Sequence, residues 1–303
     1  MKRHRQQVRI RHLLSVCGGK TPLKPAKHFS KLFALCKLCL LLLFLAGTLL
    51  ACGLTSNATF NNGTPVVSTT PPAGTPALNQ WVTASPGIEV RYEDWKSPGN
   101  NEDTVTITRF DLGKVHLKIG YQPTKPLAID DWMKQEGATA IINGGYFTQN
   151  NAATALVIAN GQSYGTTYNG FGGMLAVDTQ GNISLRSLSK QPYDPNNEQL
   201  QQATQCSPML LINGKRTEFQ ANAASQRRSI VAQDTSGRLL FIASPGAAFS
   251  LDELADLLAS SDLSLKTALN LDGGASTALY LDAGKQHIAI DAVTTLPLVI
   301  IVK

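Results

Sequence analysis

Two short segments of this chain end an apolar run with a polar side chain and a pair of glycines: Ala140-Ile-Ile-Asn143-Gly144-Gly145 and Ala268-Leu-Asn-Leu-Asp272-Gly273-Gly274. Paired glycines carry no Cβ to hold a ligand away from the backbone, and consecutive N–H groups can form an anion-binding nest. An Asx-Gly pair is also an ordinary turn. A plain hairpin would have polar strand edges on both sides, whereas these buried-looking runs stop abruptly at a carboxamide or a carboxylate. The pattern alone leaves a ligand site and a pair of structural turns both open.

Other chemistries fit less well. Gly161-Gln-Ser163-Tyr-Gly165 has the spacing of a nucleophile elbow, but that elbow needs a helix after its turn. Thr166-Thr-Tyr-Asn-Gly-Phe-Gly-Gly cannot begin one, and the only histidines beyond residue 28 are His116 and His287. The sequence has no phosphate loop ending in Gly-Lys-Ser/Thr and no aromatic-basic face for nucleic acid. Cys36-Lys-Leu-Cys39 has metal or redox spacing without a matching second pair, so no metal site is expected there.

The elements that must position the two Asx-Gly-Gly segments are mostly strands. Hairpin punctuation recurs at Asn160-Gly161, Asp178-Thr-Gln-Gly181-Asn182, Asn213-Gly214, Asp234-Thr-Ser-Gly237 and Asp282-Ala-Gly284, each between β-rich runs. Two segments read as helices: residues 130–136, stopped by Gly137, and residues 251–260, where Ser250 and Glu253 make a capping box. Each helix leads into one of the apolar runs. The expected class is α+β, a strand-rich mixed or antiparallel sheet core with a few flanking helices in a single domain.

With 303 residues, 43% hydrophobic and 16% charged, the chain is long enough for a large core and is not a disordered or disulfide-built protein. Its net charge of +6 is misleading. Of the 27 basic residues ten lie within residues 1–37, and no acidic residue precedes Glu89, so 17 basic residues face all 21 acidic ones in the remainder. The basic excess belongs to a leader. Residues 38–51 form an uncharged apolar run, short for a spanning helix and suited to a signal-peptide core. Leu49-Leu-Ala51-Cys52-Gly53 resembles a bacterial lipobox, in which the cysteine is acylated. An uncleaved anchor is the alternative, and either places the rest outside the cytoplasm. The expected organisation is a lipoprotein signal peptide over 1–51, a Ser/Thr/Pro/Gly tether over 52–80 and a domain over 81–303, with Cys206 as the domain's one cysteine.

Four motifs then fall in order: Ile142-Asn143-Gly144-Gly145-Tyr146-Phe147, Ser207-Pro-Met-Leu-Leu-Ile-Asn213-Gly214, Arg228-Ser-Ile-Val-Ala, and Leu271-Asp272-Gly273-Gly274-Ala275-Ser276-Thr277. Together they resemble the phosphodiester glycosidase domain, over residues 105–302. Family members commonly have glycine where Ala275 stands, and alanine where Ile230 stands. The resemblance implies a hydrolase that cleaves between a sugar's anomeric carbon and a phosphodiester, here in envelope or exopolysaccharide glycans. It implies Arg228 as partner of the phosphodiester anion, supported by N–H groups near Gly144, Gly145, Gly273 and Gly274. Asn143, Tyr146, Ser276 and Thr277 become candidate contacts to sugar or phosphate.

Asp272 is the candidate catalytic carboxylate. Ordinary glycosidases need two carboxyl groups because an alkoxide leaves poorly without a proton. A phosphate monoester, with a second pKa of about 6, leaves with little acid assistance, so one carboxylate can suffice. No cofactor is predicted, and a divalent cation or sugar hydroxyls remain competing partners for Asp272. The expected partners are a glycosyl phosphodiester or phosphoglycan substrate and a membrane held through lipid on Cys52, without nucleic acid. The rival class is a lipid-anchored module that binds a phosphoglycan without cleaving it, and such a binder has reason to avoid the carboxylate of Asp272, which repels phosphate.

Overall fold

The computed structural model describes residues 77–220 and 224–303. Cys52, the leader and the tether up to residue 76 lie outside the described residues.

The described residues begin with a hairpin and a third strand, β1 (Val82–Ser85), β2 (Ile88–Lys96) and β3 (Glu102–Phe110), then β4 (Leu117–Tyr121). Helix α1 (Ile129–Glu136) leads into β5 (Ala140–Asn143). A meander follows: β6 (Val157–Ala159), β7 (Gln162–Tyr164), β8 (Gly173–Asp178), β9 (Ile183–Ser187), β10 (Leu200–Cys206), β11 (Met209–Ile212) and β12 (Lys215–Arg216). Two long strands, β13 (Gln226–Asp234) and β14 (Leu239–Phe249), precede helix α2 (Leu251–Ser260) and β15 (Leu265–Asn270). The chain closes with β16 (Leu279–Ala283), β17 (Gln286–Ile290) and β18 (Leu298–Val302).

These strands form three sheets, in the orders β1-β2-β3-β14-β13-β15-β11-β12, β7-β6-β10-β8-β9 and β17-β16-β5-β18-β4. The described ladders are antiparallel throughout, so the fold is mostly β with two helices and carries none of the parallel pairing that a mixed sheet would have. All five punctuated turns close hairpins. At two of them Asn-Gly adopts positive φ at both positions, 52° and 77° at Asn160-Gly161 and 51° and 72° at Asn213-Gly214, the conformation that matches strand twist in a two-residue turn. Ser163 therefore lies in a hairpin strand, not on an elbow.

The apolar runs fail to alternate because both faces of the central strands are covered. In the large sheet Val231, Phe241 and Leu269 point into a core shared by the three sheets, while Ile230, Ile242 and Ala268 face α2. Ser250 caps that helix, its hydroxyl taking the Glu253 N–H while the Glu253 carboxylate returns to the Ser250 N–H. Leu254, Ala255 and Leu258 on its inner face are buried, each leucine contributing about 1.5–3 kcal/mol. In the third sheet Ile142 and Ile300 join the shared core, and Ile141, Val299 and Ile301 pack under Trp132 of α1. The Trp132 Nε1–H donates to the Leu296 carbonyl at 2.8 Å, and Gly137 stops the helix in the left-handed conformation at φ 57°. Each helix thus holds the outer face of the strand that follows it, and those strands, β5 and β15, end in the two Asx-Gly-Gly segments.

Candidate active site

The two segments, 129 residues apart, meet although they leave different sheets. Asp272 N–H donates to the Gly144 carbonyl at 3.0 Å, and Gly144 N–H donates to Leu298 O at 2.9 Å. Asn143, 1% exposed, ties them together. Its Nδ2 donates to the carbonyls of Asp272 at 2.7 Å and Gly144 at 3.3 Å, and its Oδ1 accepts the Ala278 N–H at 3.1 Å. These bonds correct two expectations. The Asn143 amide is occupied by backbone, so it positions the Asp272 loop instead of holding a sugar hydroxyl, and the Gly144 N–H is committed to Leu298, not to an anion.

Arg228 reaches this place by strand register. Ile230 lies opposite Asn270 on the β13–β15 ladder, and the Leu271 N–H to Ser229 carbonyl bond of 2.9 Å carries the ladder one step further. Beyond it the Arg227 carbonyl lies 2.8 Å from a methyl placed on Gly273, so Arg228 runs beside the Asp272–Gly273 turn. Arg228 is 6% exposed. Its Nε donates to Phe249 O at 3.1 Å and its Nη2 to Ala224 O at 2.8 Å. A methyl placed on Gly273 would lie 3.9 Å from Nη1, so the free end of the guanidinium runs along that glycine. Among the described residues no ion pair joins Arg228 to a carboxylate, in contrast to Arg91, Arg109, Arg186, Arg216 and Arg238. Burial pulls its pKa down, yet a guanidinium stays protonated. A buried cation without a counter-ion is costly, and an anion bound beside it relieves that cost.

Burial raises the pKa of Asp272, while the Ser276 hydroxyl and the Gly273 N–H beside it pull the other way. The Gly273 N–H donates to Asp272 Oδ1 at 3.0 Å, so this amide orients the carboxylate and, contrary to the sequence expectation, is not available to phosphate. Gly274 adopts φ 60° at the start of a 3-10 turn over Gly274–Ser276. A methyl on Gly145 would stand 2.5 Å from the Gln205 carbonyl, so this backbone approach requires glycine. Ser276 and Thr277 are both buried, and the Thr277 hydroxyl has no partner.

The Tyr146 hydroxyl donates to Ser207 O at 2.9 Å and accepts from Asn270 Nδ2 at 2.8 Å. Burial first, then the neighbouring Cys206 and Asp272, raise the Tyr146 pKa, while Arg228 lowers it. Tyr146 therefore lies within electrostatic reach of both Asp272 and Arg228, and it stays neutral. Burial pushes the Cys206 thiol behind it up to about 12. Asn270 was not singled out in the sequence. It is 1% exposed, donates also to Ser207 O at 3.1 Å, and its Oδ1 is buried without a partner. Its signal was a carboxamide inside an apolar strand, where a buried polar group needs a reason. Among the described residues no group of three His, Cys, Asp or Glu is placed to hold a metal ion.

Comparison with known proteins agrees with this arrangement. The family model described as phosphodiester glycosidase matches residues 136–302, which include Asn143, Arg228 and Asp272. The catalytic domain of a zebrafish N-acetylglucosamine-1-phosphodiester alpha-N-acetylglucosaminidase, auto-inhibited by its pro-peptide, is similar in fold, with TM-score 0.56 and 19% identity over 73% of this chain and 86% of that one. A hypothetical protein from Synechocystis has TM-score 0.55 and 17% identity, over 76% of this chain and 64% of its own. No curated protein matches the sequence. With the family model covering more than half of the chain and its motifs converging at Asp272 and Arg228, the chain belongs to the phosphodiester glycosidase family.

Proposed function

We propose that this protein is a hydrolase that cleaves the bond between a sugar's anomeric carbon and a phosphodiester. The observation that carries the proposal is Arg228, a buried guanidinium without a carboxylate partner among the described residues, whose Nη1 lies 3.9 Å from a methyl placed on Gly273, next to Asp272. A diester phosphate carries one negative charge, and Arg228 is the group to receive it. The name of the zebrafish relative supports a sugar 1-phosphodiester as the substrate class.

Arg228 holds the phosphate while Asp272 takes a proton from water. The water oxygen bonds to the anomeric carbon, the carbon–oxygen bond to phosphorus breaks, and its electron pair leaves on the phosphate monoester. The burial that raises the Asp272 pKa makes its carboxylate a stronger base wherever the pH exceeds that pKa. Asn143 fixes the Asp272 backbone, and the Gly273 N–H orients the carboxylate. The proposal includes the address: a lipid anchor at Cys52 would place the domain outside the cytoplasm, where envelope and exopolysaccharide glycans carry such linkages.

The test is incubation of the purified domain, as parent, Arg228→Lys and Asp272→Asn, with a panel of sugar 1-phosphodiesters. Free sugar and phosphate monoester are expected in equal amounts from the parent. Arg228→Lys, which loses the planar fork, should lower kcat/KM about 10- to 100-fold. Binding without turnover in the parent would contradict hydrolysis and leave the binding module.

A further inference from the structure

Tyr146, within electrostatic reach of Asp272 and Arg228, donates to the Ser207 carbonyl, and Ser207 also lines a separate groove of about 520 Å³. Phe171 and Phe219 both line that groove, together with Ser187, Thr217 and Glu218. Phe171 is 52% exposed.

Its support is rigid. The Phe171 ring stacks on Tyr168 with centroids 4.4 Å apart. The Tyr168 N–H donates to Gln205 Oε1 at 2.8 Å, and the buried Gln205 side chain donates in turn to the Thr167 hydroxyl at 2.8 Å. After the ring, Gly172 adopts φ 73°, and a methyl on it would meet the Cys206 carbonyl at 2.6 Å. Its carbonyl accepts the Leu188 N–H at 3.0 Å. The aromatic face is thus fixed from both sides before any ligand arrives, which lowers the entropic cost of binding. Phe219 is held too, beneath Arg216, whose Nε pairs with Asp256 at 2.7 Å.

The groove's chemistry selects its occupant. An aromatic face flanked by hydroxyls and a carboxylate suits a pyranose, whose C–H face is apolar and whose rim is hydroxyl. Among the described residues the lining contains no lysine or arginine, so nothing in it is built to receive a second phosphate. We propose that this groove is a subsite for an uncharged sugar ring of the substrate, stacked on Phe171. The inference rests on the proposed hydrolysis and adds to it which molecules are taken.

The test uses the parent and Phe171→Ala with three probes: a sugar 1-phosphodiester of methanol, the same sugar 1-phosphate esterified to a disaccharide, and a neutral oligosaccharide without phosphate. Phe171 is exposed, so the variant should melt like the parent. The expected result is a KM raised about tenfold, the scale of one aromatic contact, with kcat within about twofold. A rise confined to the disaccharide ester places the leaving arm in the groove, and an equal rise on both esters places the released sugar there. Unchanged KM on both esters overturns the subsite. If the parent hydrolyses neither ester, hydrolysis itself has failed. Saturation-transfer NMR with the neutral oligosaccharide then decides the groove separately: signals lost in Phe171→Ala uphold it, and no signal in the parent overturns it.

Discussion

Replacing Asn143 by alanine isolates the contact that joins the two motifs. The amide makes bonds of 2.7 Å to the Asp272 carbonyl and 3.1 Å from the Ala278 N–H, at a position 1% exposed. The Gly144 carbonyl keeps a partner in the Asp272 N–H, so two backbone groups are orphaned. At about 1–3 kcal/mol for each buried unsatisfied group, Asn143→Ala should cost about 2–6 kcal/mol. With an m-value of about 2–3 kcal/mol/M, the urea midpoint should fall by roughly 0.7–3 M. Asn143→Asp sharpens the test, because the introduced carboxylate would face the carbonyls of Asp272 and Gly144 in a dry site. Its folded-state pKa would lie above the unfolded value, so its stability deficit should be smallest in acid and grow as pH rises through that window. The assay is urea unfolding of parent and both variants across pH. A midpoint shift below about 0.3 M for Asn143→Ala, about 1 kcal/mol or less, or a pH-independent deficit for Asn143→Asp, would refute the reasoning.

The raised Asp272 pKa sets the sign of another effect: stability falls as pH rises from the ordinary carboxylate pKa through the raised folded pKa and stays lower above it, so Asp272→Asn should be more stable than the parent near neutrality and lose that advantage in acid, as thermal melts across pH would reveal. The same change should lower kcat about 10²- to 10⁴-fold while binding is retained, and near-parental turnover would eliminate Asp272 as the base. Gly145→Ala places a methyl 2.5 Å from the Gln205 carbonyl, so it should destabilise the fold and lower kcat together; unchanged melting would show that the backbone approach is not required. Cys206, buried and with its thiol pKa pushed up to about 12, should resist a thiol reagent in the native domain at pH 8 and react on unfolding. Fatty-acid labelling in a bacterial host should be lost in Cys52→Ser, and persistent labelling would remove the lipid anchor from the account.

The local rules written into the sequence carried far. Asn160-Gly161 and Asn213-Gly214 announce two-residue hairpins because few other residues tolerate positive φ twice in succession, and the structure closes both. Ser250 and Glu253 announce the start of α2 because a capping box is a local pattern. What depends on distant partners was not legible. The glycine amides looked available to an anion, but Gly144 gives its N–H to Leu298 and Gly273 gives its own to Asp272, partners set by tertiary packing and loop conformation. Asn143 looked like a ligand residue because a carboxamide serves a sugar or a backbone equally well, and only the approach of β15 and β16 to β5 decides between them. Asn270 and Ser207 gained their place by meeting Tyr146 across 124 and 61 residues of sequence. The groove beside Phe171 lies between a loop and a hairpin that nothing in their own sequences brings together.

The most direct test of the central claim asks which bond breaks. The parent is allowed to hydrolyse a sugar 1-phosphodiester in water enriched in ¹⁸O, and the released phosphate monoester is weighed by mass spectrometry. Attack at the anomeric carbon, with Arg228 holding the phosphate and Asp272 activating water, predicts a phosphate monoester carrying no ¹⁸O. One ¹⁸O atom in that phosphate would mean attack at phosphorus and would contradict the account.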